Sequence, residues 1–181
     1  MGIYIEELKS GNFDNTNFRD YWSKSRSLMN ASEFNYNRFL HFVNLPMTID
    51  AMIKTDGFFH ASLLLRAVSI ENLIKSRALF DLKKRNKLDG KGIKDVIKSD
   101  WKGISHDPIK ICKKHGISLN EEENEFIQNH SDHMLWAGRF PFPQSLNDVV
   151  SKQSLGGNQN EQMRKLFVRF TLEMGLNEDY L

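Results

Sequence analysis

A chain of 181 residues with 40% hydrophobic and 27% charged residues is long enough to bury a sizeable core as one domain. Its formal net charge of +2 is too small to predict a nucleic-acid partner by itself. No stretch approaches the roughly 18 to 20 consecutive apolar residues that a membrane span needs, and the first residues lack the basic and apolar regions of a signal peptide. The composition therefore favours a cytoplasmic protein without a membrane partner.

Cysteine and histidine spacing limits the kinds of site that the chain can hold. Cys112 is the only cysteine, so an intrachain disulfide and a cysteine-rich zinc site are both excluded. Its apolar and basic surroundings favour a small buried residue over a reactive thiol. His130 and His133 lie three apart on a predicted helix and could share one metal ion, but no third ligand is near them in the sequence. We therefore predict neither a metal nor a cofactor.

Apolar periodicity predicts helices in the first half of the chain. Residues 16–28 and 33–43 each show the pattern of a helix, and Leu45-Pro46 marks the turn that follows them. From residue 56 to residue 87, apolar side chains recur every three or four positions. This spacing predicts one long helix, with residues 47–54 as its candidate extension.

Capping signals define the starts of several helices. Thr55 or Asp56 is the candidate N-cap of the long helix. Asp107-Pro108 combines an N-cap with proline at the first helical position, and Asn120 with Glu123 forms a capping-box pattern. The later helices are expected at residues 93–98, 108–115, 121–137 and 161–174.

Helices joined by short loops predict an all-α, antiparallel bundle of about five main helices. Residues 1–150 are expected to form the single helical domain, followed by a flexible linker at residues 151–160 (SKQSLGGNQN). Residues 161–181 are expected to form a C-terminal helix that packs on the bundle or on a partner chain.

The run from Trp136 to Pro143 (WAGRFPFP) contains the first candidate binding residue. Arg139 stands between Trp136 and Phe140, just past a predicted helix end. A guanidinium held beside flat apolar surfaces suits a phosphate, a carboxylate or a base. Arg139 is therefore the leading candidate for an anion contact.

A second group of polar residues is dispersed along the chain. Arg66, Glu71 and Lys75 share the long helix, and Glu71 and Lys75 are four apart, so they can pair across one turn. His106 lies just before a helix N-terminus, where the helix dipole favours an anion. In an antiparallel bundle these positions could converge with Arg139, in which case the tips of His106 and Arg139 should lie within about 8 Å of each other. If they do not converge, Glu71 with Lys75 is a pair that stabilises the helix.

Positive charge is concentrated in one part of the chain. Between Lys75 and Lys102 there are ten basic residues against four acids. Such a stretch can follow a phosphate backbone, or it can be a solvated helix end that keeps the surface soluble. Aromatic residues for base stacking are nearly absent there.

Several of these runs together resemble a known family. Residues 67–75 (AVSIENLIK) place a small residue, Glu71 and Lys75 on an apolar helix, and His106-Asp107 heads a short helix. A Glu-rich helix start and residues 136–141 (WAGRFP) follow. Over about residues 56–143 the pattern resembles the HEPN (higher eukaryotes and prokaryotes nucleotide-binding) domains of prokaryotic proteins.

The resemblance implies an all-α bundle that frequently dimerises. In many members it also implies metal-independent RNA cleavage, often within toxin–antitoxin or phage-defence systems. Nuclease members carry an Arg followed four to six residues later by a His. This chain departs from that pattern, because Arg38 precedes His41 by three residues and no histidine follows Arg139. Without that pair, the architecture and a binding surface are what the resemblance carries over.

We therefore expect a HEPN-like domain that binds RNA, a nucleotide or a protein partner and that forms a homodimer or a complex with such a partner. The candidate ligand-binding residues are Arg139, His106, Lys75, Trp136, Arg66 and Glu71.

Two alternatives stay open. One is a divergent metal-independent ribonuclease, in which His106 is the acid or base and Arg139 stabilises the charge of the phosphorane. The other is a non-catalytic interaction module, in which the last helix docks on another chain through Phe167 and Phe170.

Overall fold

The computed structural model describes residues 17–88, 91–132 and 158–176, and all regular structure within these ranges is helical. This part of the chain forms six helices, which are α1 (Phe18–Val43), α2 (Ile49–Lys84), α3 (Ile93–Ser99), α4 (Pro108–His115), α5 (Glu121–Asp132) and α6 (Gln159–Glu173). The prediction of an all-α bundle is confirmed. Among the described helices, none has both the length and the apolar character that crossing a bilayer requires.

The two longest helices, α1 and α2, pair antiparallel through small buried residues. The hydroxyls of Ser25 and Ser69 each donate to the other residue's carbonyl, at 2.8 and 2.7 Å. Seven residues further along α1, Ser32 donates to the carbonyl of Ser62 at 2.8 Å. Ser76 bonds the carbonyl at the start of α1 at 2.6 Å. These serines recur every seven residues on each helix, and we call them the serine seam. Their small size lets the two backbones approach closely.

Residues 18–43 form one helix where the sequence predicted two. The apolar pattern weakens between residues 28 and 33, but no glycine or proline interrupts the chain there. Ser32 lies in this interval, and its buried hydroxyl contacts α2 rather than ending the helix. Ser32, a polar residue at the predicted break, is thus part of the helix interface.

The long helix begins earlier than the predicted caps Thr55 and Asp56. Its N-cap is Thr48, whose hydroxyl accepts from the backbone of Ala51 at 3.1 Å. Thr55 instead donates to the carbonyl of Ala51 inside the helix. Residues 49–54 therefore do extend the helix, as the sequence suggested.

The capping predictions further along the chain are confirmed. Asp107 accepts from the backbone of Lys110 at 2.9 Å, with Pro108 in the first turn of α4. Asn120 and Glu123 bond each other's backbone amides at 2.8 and 3.0 Å at the start of α5.

The last helix, α6, completes the core of the bundle. The indole N–H of Trp22 on α1 donates to the Thr171 hydroxyl at 2.8 Å, which ties the two helices together. Phe167 and Phe170 are fully buried in the chain's own core. They are not available to another chain, so the structure contradicts the predicted docking of this helix through them. The helix begins at Gln159, two residues before its predicted start.

Candidate functional site

Three of the predicted polar residues meet at the middle of α2. The carboxylate of Glu71 forms an ion pair with Lys75 one turn along the helix. The same carboxylate oxygen lies 3.3 Å from Nδ1 of His106. The pairing of Glu71 with Lys75 is confirmed, and His106 joins them from a loop more than thirty residues away.

The exposure of the three side chains differs sharply. Glu71 and Lys75 are buried, whereas the side chain of His106 is 66% exposed. A carboxylate close to Nδ1 favours the neutral tautomer with its proton on Nδ1, in which Nε2 is the proton acceptor. Glu71 is therefore placed to orient His106 while its ring stays open to solvent.

The loop before α4 positions His106. Asp107 caps the helix and also pairs with the Lys110 ammonium at 2.9 Å. This carboxylate occupies the positive end of α4, where the sequence predicted an external anion near His106. The imidazole turns instead toward Glu71 on α2.

A buried tryptophan, Trp101, contacts the Glu71–Lys75 pair from the loop that also carries His106. The Lys75 ammonium lies 5.8 Å from the centroid of the Trp101 ring, within range of a cation–π contact. Trp101 is fully buried, and its indole N–H donates to Nε2 of His115 at 2.9 Å. On the α1 side, burial and the charge of Glu71 raise the pKa of the Tyr21 hydroxyl. Neither Trp101 nor Tyr21 was predicted as a site residue from the sequence. Each lies in a sequence pattern that is typical of an aromatic residue packed in a core.

The buried ring of His115, which accepts the Trp101 indole N–H, makes the stability of this region depend on pH. Burial lowers the pKa of His115 below its usual value near 6.5, so the folded state favours the neutral ring that accepts the indole N–H. This stabilisation is present above the unfolded pKa and is lost as the pH falls below it. We expect the free energy of unfolding, measured by urea denaturation, to decrease between pH 7 and pH 5. A His115→Gln variant should show a smaller decrease, and an equal decrease in both proteins would contradict this assignment.

The segment of the chain that contains His106 is strongly basic. From residue 83 to residue 114 the sequence has eleven Lys and Arg residues and four Asp residues. All eleven are exposed, and we call them the basic surface: Lys83, Lys84, Arg85, Lys87, Lys91, Lys94, Lys98, Lys102, Lys110, Lys113 and Lys114. Burial has the largest effect on the pKa of His115, followed by two nearby carboxylates that raise it. The positive charges of Lys114 and Arg85 lower it further. The end of α2 and the end of α4 therefore both lie near His115.

Arg66 does not join this group. It is buried earlier on α2, where its guanidinium donates to the side chains of Gln159 and Asn160 at the start of α6. The Tyr36 ring lies 5.7 Å from the guanidinium carbon, and burial lowers the pKa of Arg66. Arg66 therefore clamps α6 to α2, in contrast to its predicted place beside Glu71 and Lys75.

The other candidates can be placed only in part. Arg139, Trp136 and His133 lie outside the described residues, as does the predicted approach of Arg139 to His106. His130 is buried in α5, with Nδ1 2.8 Å from the carbonyl of Phe126. Within the described ranges, no group of three or more His, Cys, Asp or Glu side chains is placed to hold a metal ion. Cys112 is buried as predicted, and burial raises its pKa to about 12.

The described site thus combines an imidazole beside a buried carboxylate with many exposed cations. The first can transfer a proton, and the second can hold a polyanion. Comparison with family models, with curated proteins and with solved structures finds no match for this chain.

Proposed function

We propose that this protein binds RNA through the basic surface. The observation that carries the proposal is that every Lys and Arg between residues 83 and 114 is exposed, while only four acids lie in the same interval. Each cation that contacts a phosphate releases condensed counterions, so a surface of this density favours an extended polyanion.

The spread of the charges favours a phosphate backbone over a single phosphate group. The basic residues come from the end of α2, from α3, from the loop at Lys102 and from α4. A single phosphate would instead need several donors converging on one point. Because aromatic residues are scarce in this surface, we expect recognition of the backbone with little preference for base sequence.

The Glu71–His106 contact favours cleavage of the bound RNA as a second candidate function. In this step Nε2 of His106 takes the proton of a 2′-hydroxyl while the 2′-oxygen attacks the adjacent phosphorus. The bond from phosphorus to the 5′-oxygen breaks, the 5′-oxygen takes a proton from water, and a 2′,3′-cyclic phosphate remains. The chain lacks the Arg and His spacing of HEPN nucleases, but a carboxylate that orients a histidine is another way to position a base.

A charge-reversal experiment tests the binding proposal. Lys94 and Lys98 are exposed on one face of α3, so Lys94→Glu with Lys98→Glu should weaken retention of single-stranded RNA at least about tenfold. The slope of log K against log salt should also fall by about 1.4, at about 0.7 for each lost phosphate contact. Binding is measured by filter retention of labelled RNA over a series of salt concentrations.

The matched control carries the same change of charge elsewhere. Lys24 and Lys165 are exposed on α1 and α6, and Lys24→Glu with Lys165→Glu should leave retention close to that of the unaltered protein. Equal losses in the two double variants, or no retention by the unaltered protein, would contradict the proposal. The same reactions, run with EDTA, are examined for cyclic-phosphate ends. Cleavage that disappears in His106→Asn while retention persists supports the second candidate, and intact RNA rejects it.

A further inference from the structure

The end of the α1–α2 hairpin exposes an unusual amount of apolar surface. We call residues 34–60 the hairpin tip. Met47 is 86% exposed, Ile49 is 78% exposed and Ile53 is 67% exposed. Five other large apolar side chains of the tip are also exposed: Phe34, Leu40, Val43, Leu45 and Met52.

The size of this surface matches what an interface needs. The exposed fractions of these eight residues correspond to a summed area of roughly 800 Å². A standard interface between two proteins takes about 800 Å² from each partner. The hairpin tip alone therefore offers enough apolar area for a stable dimer.

The tip contains both a groove and the side chains to fill one. A cavity of about 360 Å³ opens between the two helices, and its walls include Phe39, Phe42 and Phe59. Ile49 and Ile53 are four apart on α2 and do not line that cavity. The projecting pair and the receiving groove both belong to the hairpin tip, and an isologous interface needs both on each copy.

The charges of the tip also favour a second copy of the chain. Arg38 and Lys54 are balanced by Asp50 and Asp56. In a two-fold arrangement, Asp50 and Lys54 of one copy can face the same two residues of the other. A helix that lies on anionic lipid carries an excess of Lys and Arg on its polar face. The hairpin tip has no such excess, because its two basic residues are matched by two acids.

We propose that two copies of this chain associate through their hairpin tips, with Ile49 and Ile53 of each copy seated in the aromatic groove of the other. This association uses a different surface from the proposed RNA contact and does not depend on it. The basic surface lies toward the opposite end of α2, so both copies could bind RNA in the dimer.

Sedimentation equilibrium over a range of protein concentrations tests this proposal. The unaltered protein should dimerise, and Ile49→Glu with Ile53→Glu should raise the dimer Kd by on the order of 100-fold, because two central apolar anchors are replaced by carboxylates that would be buried in an apolar groove. Glutamate is favourable at residue 49 in the first turn of α2 and is a good helix former at residue 53, so the variant should keep its helical circular dichroism. The control is Ile97→Glu with Leu172→Glu, two exposed apolar residues away from the tip, and its Kd should stay unchanged.

A monomer at every concentration, or a Kd that the tip variant leaves unchanged, would overturn the proposal. A monomer that floats with phosphatidylcholine vesicles would assign the tip to a lipid surface and would overturn it too. Cross-linking gives a second measurement, since Cys112 is buried and a new thiol is chemically distinct. A short bismaleimide should join two copies of Met47→Cys but not two copies of Leu172→Cys.

Discussion

Glu71→Ala is expected to lower the free energy of unfolding by about 3 to 5 kcal/mol. The substitution leaves the Lys75 ammonium buried beside Trp101 without its carboxylate partner. A buried charge that loses its partner keeps its desolvation cost, whereas a charge at the surface is re-solvated by water. Urea denaturation followed by circular dichroism measures the change.

Two matched variants separate this explanation from a general effect of losing an ion pair. Glu161 pairs with Lys165 with the same i,i+4 spacing on α6, but both side chains are exposed. Glu161→Ala should therefore change the stability far less. Replacing both buried partners, as in Glu71→Leu with Lys75→Met, should recover most of the loss, because no unpaired charge remains. A loss in Glu71→Ala as small as that in Glu161→Ala would show that water reaches Lys75.

Trp101→Ala is expected to cost about 3 to 5 kcal/mol of unfolding free energy, the usual range for removing a large aromatic side chain from a core. Trp101 is fully buried between the Lys75 ammonium and His115. Its loss would leave a cavity and would leave the acceptor nitrogen of His115 without its donor. Thermal and urea unfolding both measure this change.

Trp101→Phe divides the effect into its two parts. Phenylalanine fills much of the space but cannot donate to His115, so we expect a loss of about 1 to 3 kcal/mol from the unsatisfied nitrogen. The phenylalanine variant should also lose part of the pH dependence assigned to His115, since the bond that favours the neutral ring is absent. Equal losses in the alanine and phenylalanine variants would show that the hydrogen bond, and not the packing, carries the stability.

Much of the helical architecture was predictable because its signals are local. Asp107-Pro108 and the Asn120 capping box place their helix starts within a few neighbouring residues. The division of α1 into two helices was wrong for a non-local reason. Ser32 weakens the apolar pattern of its own helix, but its role depends on Ser62 in another helix. Polar residues that serve a close helix contact cannot be distinguished from a break by periodicity alone.

The site was predictable in the parts that lie within one helix. The Glu71–Lys75 pair follows directly from i,i+4 spacing. The contact of Glu71 with His106 depends on how the loop before α4 folds back onto α2, and no spacing rule encodes that path. For the same reason Arg66 was grouped with its helix neighbours, although the side chains that bind it come from α6, more than ninety residues away in sequence.

The spacing of the serine seam allows a second alignment of α1 on α2. Because the serines recur every seven residues, sliding one helix by seven would set Ser32 opposite Ser69 and could re-form much of the same bonding. That slide moves one helix about 10 Å along the other. Only five residues connect Val43 to Ile49, and they are held by turn hydrogen bonds of their own. The short connection thus selects one of the two alignments that the serine seam alone would allow.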